Sequence, residues 1–221
     1  MTSSTASPAT TPVRVVLVDD DPFVLTALRS YLASSERIEV SSTFTSATDA
    51  LAFLRQVPVN VLLTDVRMPG MDGLELLARV RRDHPGTAVV VLTSFDDDAA
   101  LLTSLSASAH GFLLKDSAPE EIVRAVLAAA EGGTTISPAA ASRLVAKHLR
   151  PTQAGERTDL TQAEREVLAL LCEGYSNAEI AERLVVAEST VKTHVSHLMR
   201  KYGVASRLKL VVAVHREREA R

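Results

Sequence analysis

Residues 13–22 read VRVVLVDDDP, a six-residue run dominated by valine and leucine that breaks into three aspartates. A run this short and this apolar suits a strand buried on both faces. Four more such runs follow, at Ile38–Phe44, Val59–Thr64, Ala88–Leu92 and Gly111–Leu114. Helical patterns separate them, at Pro22–Ala33, Ser46–Arg55, Gly73–Arg82 and about Asp98–Ser106, with Pro119–Glu131 after the last. Five strands alternating with five helices predict a doubly wound five-stranded parallel sheet, an α/β fold. Ser117 and Glu120 have the spacing of a capping box for the fifth helix, which Gly132-Gly133 ends.

Around this block, at 13–133, the chain changes character. Residues 1–12 are expected to be a disordered tail, because MTSSTASPATT lacks the basic start and apolar stretch of a signal peptide. Residues 134–157 are expected to hold no strand: a short helical stretch, Pro138–Leu149, leads to the linker PTQAGER. From 158 to 221 the pattern is all-helical. Thr161 with Glu164 and Ser176 with Glu179 form two further capping boxes, and Val167, Leu168, Leu170, Leu171 mark a helix that stops at Gly174. Later helices start near Ser176, Glu188–Ser189 and Ser206.

Composition narrows the class. With 221 residues, 46% hydrophobic and 23% charged, the chain fits a soluble protein of one large or two ordinary domains. One cysteine, Cys172, precludes an intrachain disulfide framework and fits a reducing compartment, here expected to be the cytoplasm. No apolar run approaches the ~18 residues that span a bilayer, so no membrane partner is expected. Cys172 reads as a core filler. His194, His197 and His215 share no metal-ligand spacing with a cysteine or acid. No glycine-rich phosphate loop follows any strand, which disfavours a nucleotide-binding enzyme.

In an open parallel sheet, ligands collect at the C-terminal ends of the strands. Asp19, Asp20 and Asp21 follow the first strand, Asp65 the third, Thr93 and Ser94 the fourth, and Lys115 the fifth. Three carboxylates in one crevice repel unless a cation sits among them, and hard oxygen ligands favour Mg²⁺. A hydroxyl and an ammonium opposite them serve a phosphoryl group. One carboxylate then acts as nucleophile, and Asp65, alone at its strand end within TDVRMPGMDG, is the candidate. Each item singly has a bland reading, since an Asp-Asp pair after a strand is commonly a helix cap. Four strand ends with complementary chemistry make coincidence a poor account.

VLVDDDP, LLTDVRMPGMDG, VVVLTSF and GFLLKDS, in this order, resemble the receiver domain of two-component response regulators. The resemblance implies a flavodoxin-like fold with Asp65 as phosphoacceptor, and Mg²⁺ held by Asp20, Asp65 and the backbone carbonyl of Arg67, with Asp19 acting through a water. It implies that Thr93 engages the phosphoryl group, that Lys115 pairs with it, and that Phe112 is the aromatic switch residue, swinging inward on activation. Lys115-Asp116 stands where many receivers have Lys-Pro. A cis bond before Asp116 would cost ~3 kcal/mol without proline, so that geometry is left open.

In the helical module, Ser176–Leu184, a turn at Val185–Ala187 and a helix from about Ser189 to Tyr202 make a helix-turn-helix candidate. Val191, Val195, Leu198 and Tyr202 recur at helical spacing and face the core, which turns Lys192, Thr193, Ser196 and Arg200 outward toward a major groove. Arg200, Lys201, Arg207 and Lys209 are candidates for neutralising phosphates. The stretch LTQAEREVLALLCEGYSNAEIAERLVVAESTVKTHVSHLMRKYGVASR resembles the LuxR-type DNA-binding domain, and the whole resembles the NarL/FixJ response regulators. That resemblance places Lys192, Thr193 and Ser196 at base-reading positions and gives the last helix, about Ser206–Arg216, the dimer contact. Three positions depart from it: Val185 stands where many relatives have Gly, Ala187 where a Ser or Thr cap is usual, and Ser196 where some have Lys.

The expected function is a transcription regulator, not an enzyme. Its expected partners are a sensor histidine kinase, double-stranded promoter DNA, a second copy on activation and, as a possible contact, RNA polymerase. One rival is a DNA binder whose receiver serves only for dimerisation, against which the intact pocket argues. Another is an aspartate-nucleophile phosphatase, which needs a general acid two residues after Asp65, where Arg67 stands. The net charge of -3 argues against nucleic acid only until it is divided. Residues 12–133 balance at -7, whereas 189–221 carry 8 basic and 2 acidic side chains, an acidic switch joined to a basic reader.

Overall fold

Strand β1 (Val13–Val18) sends Val15 and Leu17 into one core and Val16 and Val18 into another, as a strand buried on both faces must. The structure, a computed structural model, describes residues 11–94, 109–137, 160–204 and 206–219. β1 pairs in parallel with β2 (Ile38–Phe44) and β3 (Val61–Asp65), and β4 (Ala88–Thr93) and β5 (Gly111–Leu114) extend the sheet. Helices α1 (Pro22–Leu32) and α4 (Pro119–Ala130) cover one face through Leu25, Leu28, Leu32, Ile122 and Val126. Helices α2 (Ala47–Leu54) and α3 (Gly73–Asp83) cover the other through Ala50, Leu51, Leu76, Leu77 and Val80. The expected doubly wound sheet is present.

A sixth strand, β6 (Thr135–Ile136), pairs in parallel with β5 and gives the order β2-β1-β3-β4-β5-β6. This corrects the expectation of no strand in 134–157. Two residues are too few to leave a periodic signal, yet their backbone is bonded: Thr135 N–H donates to the His110 carbonyl at 3.0 Å and Ser137 N–H to that of Phe112 at 3.1 Å.

Local caps set most helix starts. Asp21 accepts from Phe23 N–H at 2.8 Å, Ser46 from Asp49 N–H at 3.4 Å and Asp72 from Glu75 N–H at 2.7 Å. The Ser117–Glu120 box does not form. Pro119 takes the first helical position, so the cap falls on Ala118 and Ser117 is one residue too early.

The C-terminal module comprises α5 (Gln162–Cys172), α6 (Asn177–Leu184), α7 (Glu188–Lys201) and α8 (Arg207–Glu219). Both capping boxes form there, at Thr161 with Glu164 and Ser176 with Glu179. The helix expected at Asp98–Ser106, the stretch Pro138–Leu149, the linker PTQAGER and most of the 1–12 tail lie outside the described residues. Among the described residues no helix is long and apolar enough to cross a membrane.

The two halves touch. The Ser176 hydroxyl donates to Glu131 at 2.5 Å, and the other carboxylate oxygen of Glu131 meets Arg37 at 2.9 Å. A Cβ at Gly133 would lie 2.7 Å from the Ala128 carbonyl and 3.1 Å from Ser176 Cα, so only glycine permits this approach. The apolar core on the Phe112 side of the sheet continues through Ile136 into Val167, Leu171, Ile180, Val191 and Leu198.

Candidate functional site

The sheet brings the chosen strand-end residues into one crevice. One carboxylate oxygen from each of Asp19, Asp20 and Asp65 lies within 4.8 Å of the others, with Asp19 and Asp65 buried and Asp20 exposed. The Lys115 ammonium bridges two of them, 2.7 Å from Asp19 Oδ2 and 3.0 Å from Asp65 Oδ2. Asp65 Oδ1 accepts from Val66 N–H at 2.7 Å, which fixes the carboxylate and leaves Oδ2 toward the crevice. Lys115 N–H donates to the Thr93 carbonyl at 2.8 Å, continuing the β4–β5 ladder and holding both residues at one level. Thr93 Oγ1 is buried without a hydrogen-bond partner, which is costly unless a ligand supplies one.

Electrostatics follow from this geometry. Burial pushes the Asp19 carboxyl above its ordinary value, and the neighbouring Asp65 charge adds to it, against the opposing pull of Lys115 and the Asp21 N–H. Burial pulls the Lys115 ammonium down, but its bonds to Asp19 and Asp65 and their charges outweigh this and hold it above the usual lysine value. The Lys115 ammonium thus sits between the Asp19 and Asp65 carboxyl groups.

Asp21 takes the bland role foreseen for an Asp after a strand, since it caps α1. Phe112 is wholly buried and pairs with Val91 and Ile136. The ring lies inside the core in this structure. Gly73 escaped the sequence reading. A Cβ there would lie 1.8 Å from the Asp65 carbonyl oxygen, so α3 can start against the pocket only on glycine. The Asp-Gly pair seven residues after Asp65 was the available signal. Phe23, 85% exposed, was also passed over, although it breaks the apolar spacing of its helix.

In the helical module, Lys192, Thr193, Ser196 and Arg200 are all exposed on α7. Thr193 Oγ1 donates to the Ser189 carbonyl and Ser196 Oγ to that of Lys192, each at 2.9 Å. Lys192 pairs with Glu188 at 2.7 Å. Two phosphate candidates are engaged elsewhere. Lys201 meets the buried Glu164 at 2.7 Å and holds that carboxyl down to about 2, with the Thr161 N–H assisting. Arg207 is a correction: it is buried, its guanidinium donates to Asn177 Oδ1 at 2.6 Å and to the Tyr175 carbonyl, and burial lowers it to about 10. It ties α8 to the start of α6 and does not face solvent as a phosphate contact would. Lys209 is half-buried.

Val185 adopts φ 54° and ψ 48°, the conformation glycine takes in such turns, so its replacement of Gly leaves the turn left-handed. Ala187 occupies the N-cap of α7 with no side-chain cap bond, so neither Ser189 nor Thr190 takes over. Among the described residues every peptide bond is trans, that before Asp116 included.

Comparison with known proteins agrees with both halves. The family model described as the response regulator receiver domain matches residues 15–127, and that of the luxR family of bacterial regulatory proteins matches 158–214. The nitrate/nitrite response regulator protein NarL of Escherichia coli K12 is 34% identical over 210 residues, covering 94% of this chain and 97% of its own length. The crystal structure of the response regulator ChrA, from a heme-sensing two-component system, matches with a TM-score of 0.54 at 34% identity over 95% of this chain and 99% of that one. The structure of two RcsB dimers bound to two parallel DNAs gives a TM-score of 0.58 at 30% identity, covering 93% and 98%. A receiver with an acidic strand-end pocket, followed by a LuxR-type helix-turn-helix, places this chain in the NarL/FixJ family of DNA-binding response regulators, which control transcription.

Proposed function

We infer that a sensor histidine kinase switches this regulator by transferring a phosphoryl group to Asp65. The observation that carries this reading is the Lys115 ammonium held between Asp19 and Asp65, with the unpartnered Thr93 hydroxyl on the adjoining strand end. Asp65 Oδ2 attacks phosphorus, the P–N bond to the donor histidine breaks, and the imidazole leaves with its electron pair. Lys115 then pairs with the phosphoryl oxygens, and the Thr93 hydroxyl donates to one of them.

The donor set suits Mg²⁺, since all the available ligands are hard oxygens. Asp19, Asp20, Asp65 and the Arg67 carbonyl would hold the ion, whose charge offsets that of the incoming phosphoryl group. Phe23, exposed three residues after Asp20, offers the kinase an apolar anchor beside the acids.

On the output side, Lys192, Thr193 and Ser196 read base edges, Arg200 contacts phosphate, and a homodimer spans paired half-sites of promoter DNA. Lys201 and Lys209 assist from the rim. RNA polymerase is a further contact on promoter DNA, and the cytoplasm, where DNA and kinase meet, is the place of action.

Incubation with Mg²⁺ and acetyl phosphate, followed by intact-mass measurement, tests the transfer. The wild type is expected to gain one phosphoryl group and Asp65→Asn none. Equal gain, or no gain in the wild type, overturns the mechanism.

A further inference from the structure

A cavity of about 320 Å³ opens beside Cys172, the last residue of α5. Cys172, expected as a core filler, is half-buried and lines this cavity. Glu121 and Arg124, three residues apart on one face of α4, line it as well, with Thr135 on β6 and Glu173 in the turn after α5. Gly174 turns there at φ 92°, and a Cβ on it would lie 3.3 Å from Thr135 Cγ2, so glycine lets the turn close against β6. Two buried polar atoms at this place have no hydrogen-bond partner among the described residues. One is the Thr135 hydroxyl, on a residue 7% exposed that faces the cavity. The other is Nε of Arg207, a residue 9% exposed whose terminal nitrogens are engaged by Asn177 and the Tyr175 carbonyl and whose charge interacts with Cys172. Buried polar groups left in this way are costly unless a ligand supplies the missing bond.

We propose that Cys172 is an S-thiolation site, at which the chain takes a small amino-acid disulfide of the cystine type from solution and keeps half of it as a mixed disulfide. The cavity carries the groups that a sulfur-bearing zwitterion needs. Arg124 and the Thr135 hydroxyl offer a cation and a donor to its carboxylate. Glu121 and Glu173 offer carboxylates to its ammonium, and Cys172 supplies the nucleophile. The thiolate and not the thiol attacks a disulfide, and a guanidinium beside a cysteine favours the thiolate.

In the exchange, Cys172 Sγ forms a bond to one sulfur of the small disulfide, whose own S–S bond breaks. The departing half leaves with the electron pair and takes up the proton that Cys172 released. One disulfide is consumed and one is formed, so the small disulfide is the only oxidant required. An excess of small thiol runs the same step backward and restores Cys172. The site shares no residue with the Asp65 pocket, and no step in it depends on phosphoryl transfer. The chain thereby carries a second input, the ratio of small disulfide to small thiol around it.

Rates of adduct formation on the full-length chain, read by intact mass, test this with two reagents. Cystine carries the zwitterion, and 2-hydroxyethyl disulfide lacks both charges. The preference for cystine over 2-hydroxyethyl disulfide is expected to be roughly tenfold greater in the native chain than in the chain unfolded by urea. Thr135→Val keeps the shape of the side chain and removes its hydroxyl, and Arg124→Ala removes an exposed cation. Each substitution is expected to abolish most of the native preference while leaving the 2-hydroxyethyl disulfide rate unchanged, which shows that the fold and the reach of the thiol are intact. A native chain no more selective than the unfolded one overturns the site, as does a native thiol that neither reagent modifies. So does a preference that survives both substitutions, because Cys172 is then an accessible thiol and nothing more.

Discussion

The Lys115 ammonium lies 3.0 Å from the Asp65 carboxylate and 2.7 Å from that of Asp19, one cation shared by two buried anions. Removing one partner of a buried ion pair costs about 3 kcal/mol, because the remaining charge is left without compensation. Lys115→Met is therefore expected to lower urea stability by that order in EDTA. Added Mg²⁺ should recover more stability in the variant than in the wild type, since it replaces the missing positive charge. An equal response of both proteins would sink the account of the pocket as a cation site.

Val185 holds φ 54° in the turn before the recognition helix, where a β-branched residue is strained. The left-handed conformation costs an L-residue ~1–2 kcal/mol, part of which glycine returns as extra freedom in the unfolded chain. Val185→Gly is expected to stabilise the helical module by about 0.5–1 kcal/mol with DNA affinity unchanged. Thermal unfolding decides it, and a lowered Tm contradicts the strain.

Arg207 and Lys192 are both basic, but their surroundings predict opposite phenotypes. Arg207→Ala leaves the Tyr175 carbonyl and Asn177 without their donor and is expected to cost about 2 kcal/mol of stability. The salt dependence of DNA binding should not change. Lys192→Ala should leave stability alone; should Lys192 touch phosphate as well as base, the slope of log K against log salt falls by about 0.9. A shallower slope for Arg207→Ala would return that residue to the DNA interface.

His110 supplies a pH dependence. Burial, and then the charge of Arg81, lower its pKa from 6.5 to about 4. Its ring Nδ1 accepts from Val89 N–H at 3.2 Å, a bond the neutral imidazole can make. The unfolded chain binds the proton first, so this contribution is intact above pH 6.5 and is lost as pH falls toward 4. Urea midpoints of the wild type should drop between pH 7 and 5 more steeply than those of His110→Gln. Parallel slopes would mean that other groups carry the acid sensitivity.

The pocket was readable from sequence because Asp19, Asp65, Thr93 and Lys115 each end or follow a strand, and a parallel sheet sends all strand ends to one edge. Strands buried on both faces are near-continuous apolar runs, which made β1, β3 and β4 plain. β6 was not readable, since pairing with β5 and not composition makes two residues a strand. Arg207 looked like a surface charge because nothing local says that the Tyr175 carbonyl lies above it. Ser117 failed as a cap because Pro119 fixed the helix start one residue later. Each failure is a tertiary contact or a neighbouring residue overruling a local pattern.

Thr193 and Ser196 have already spent their hydroxyl protons on carbonyls of their own helix. What they can still offer a groove is a lone pair each and, on Thr193, a methyl group. A lone pair meets the amino group of adenine or cytosine and finds nothing to accept from on guanine O6 or thymine O4, while a methyl group suits the thymine methyl. In this conformation two residues that look like versatile hydrogen-bonding groups would present acceptors and apolar contact to a groove.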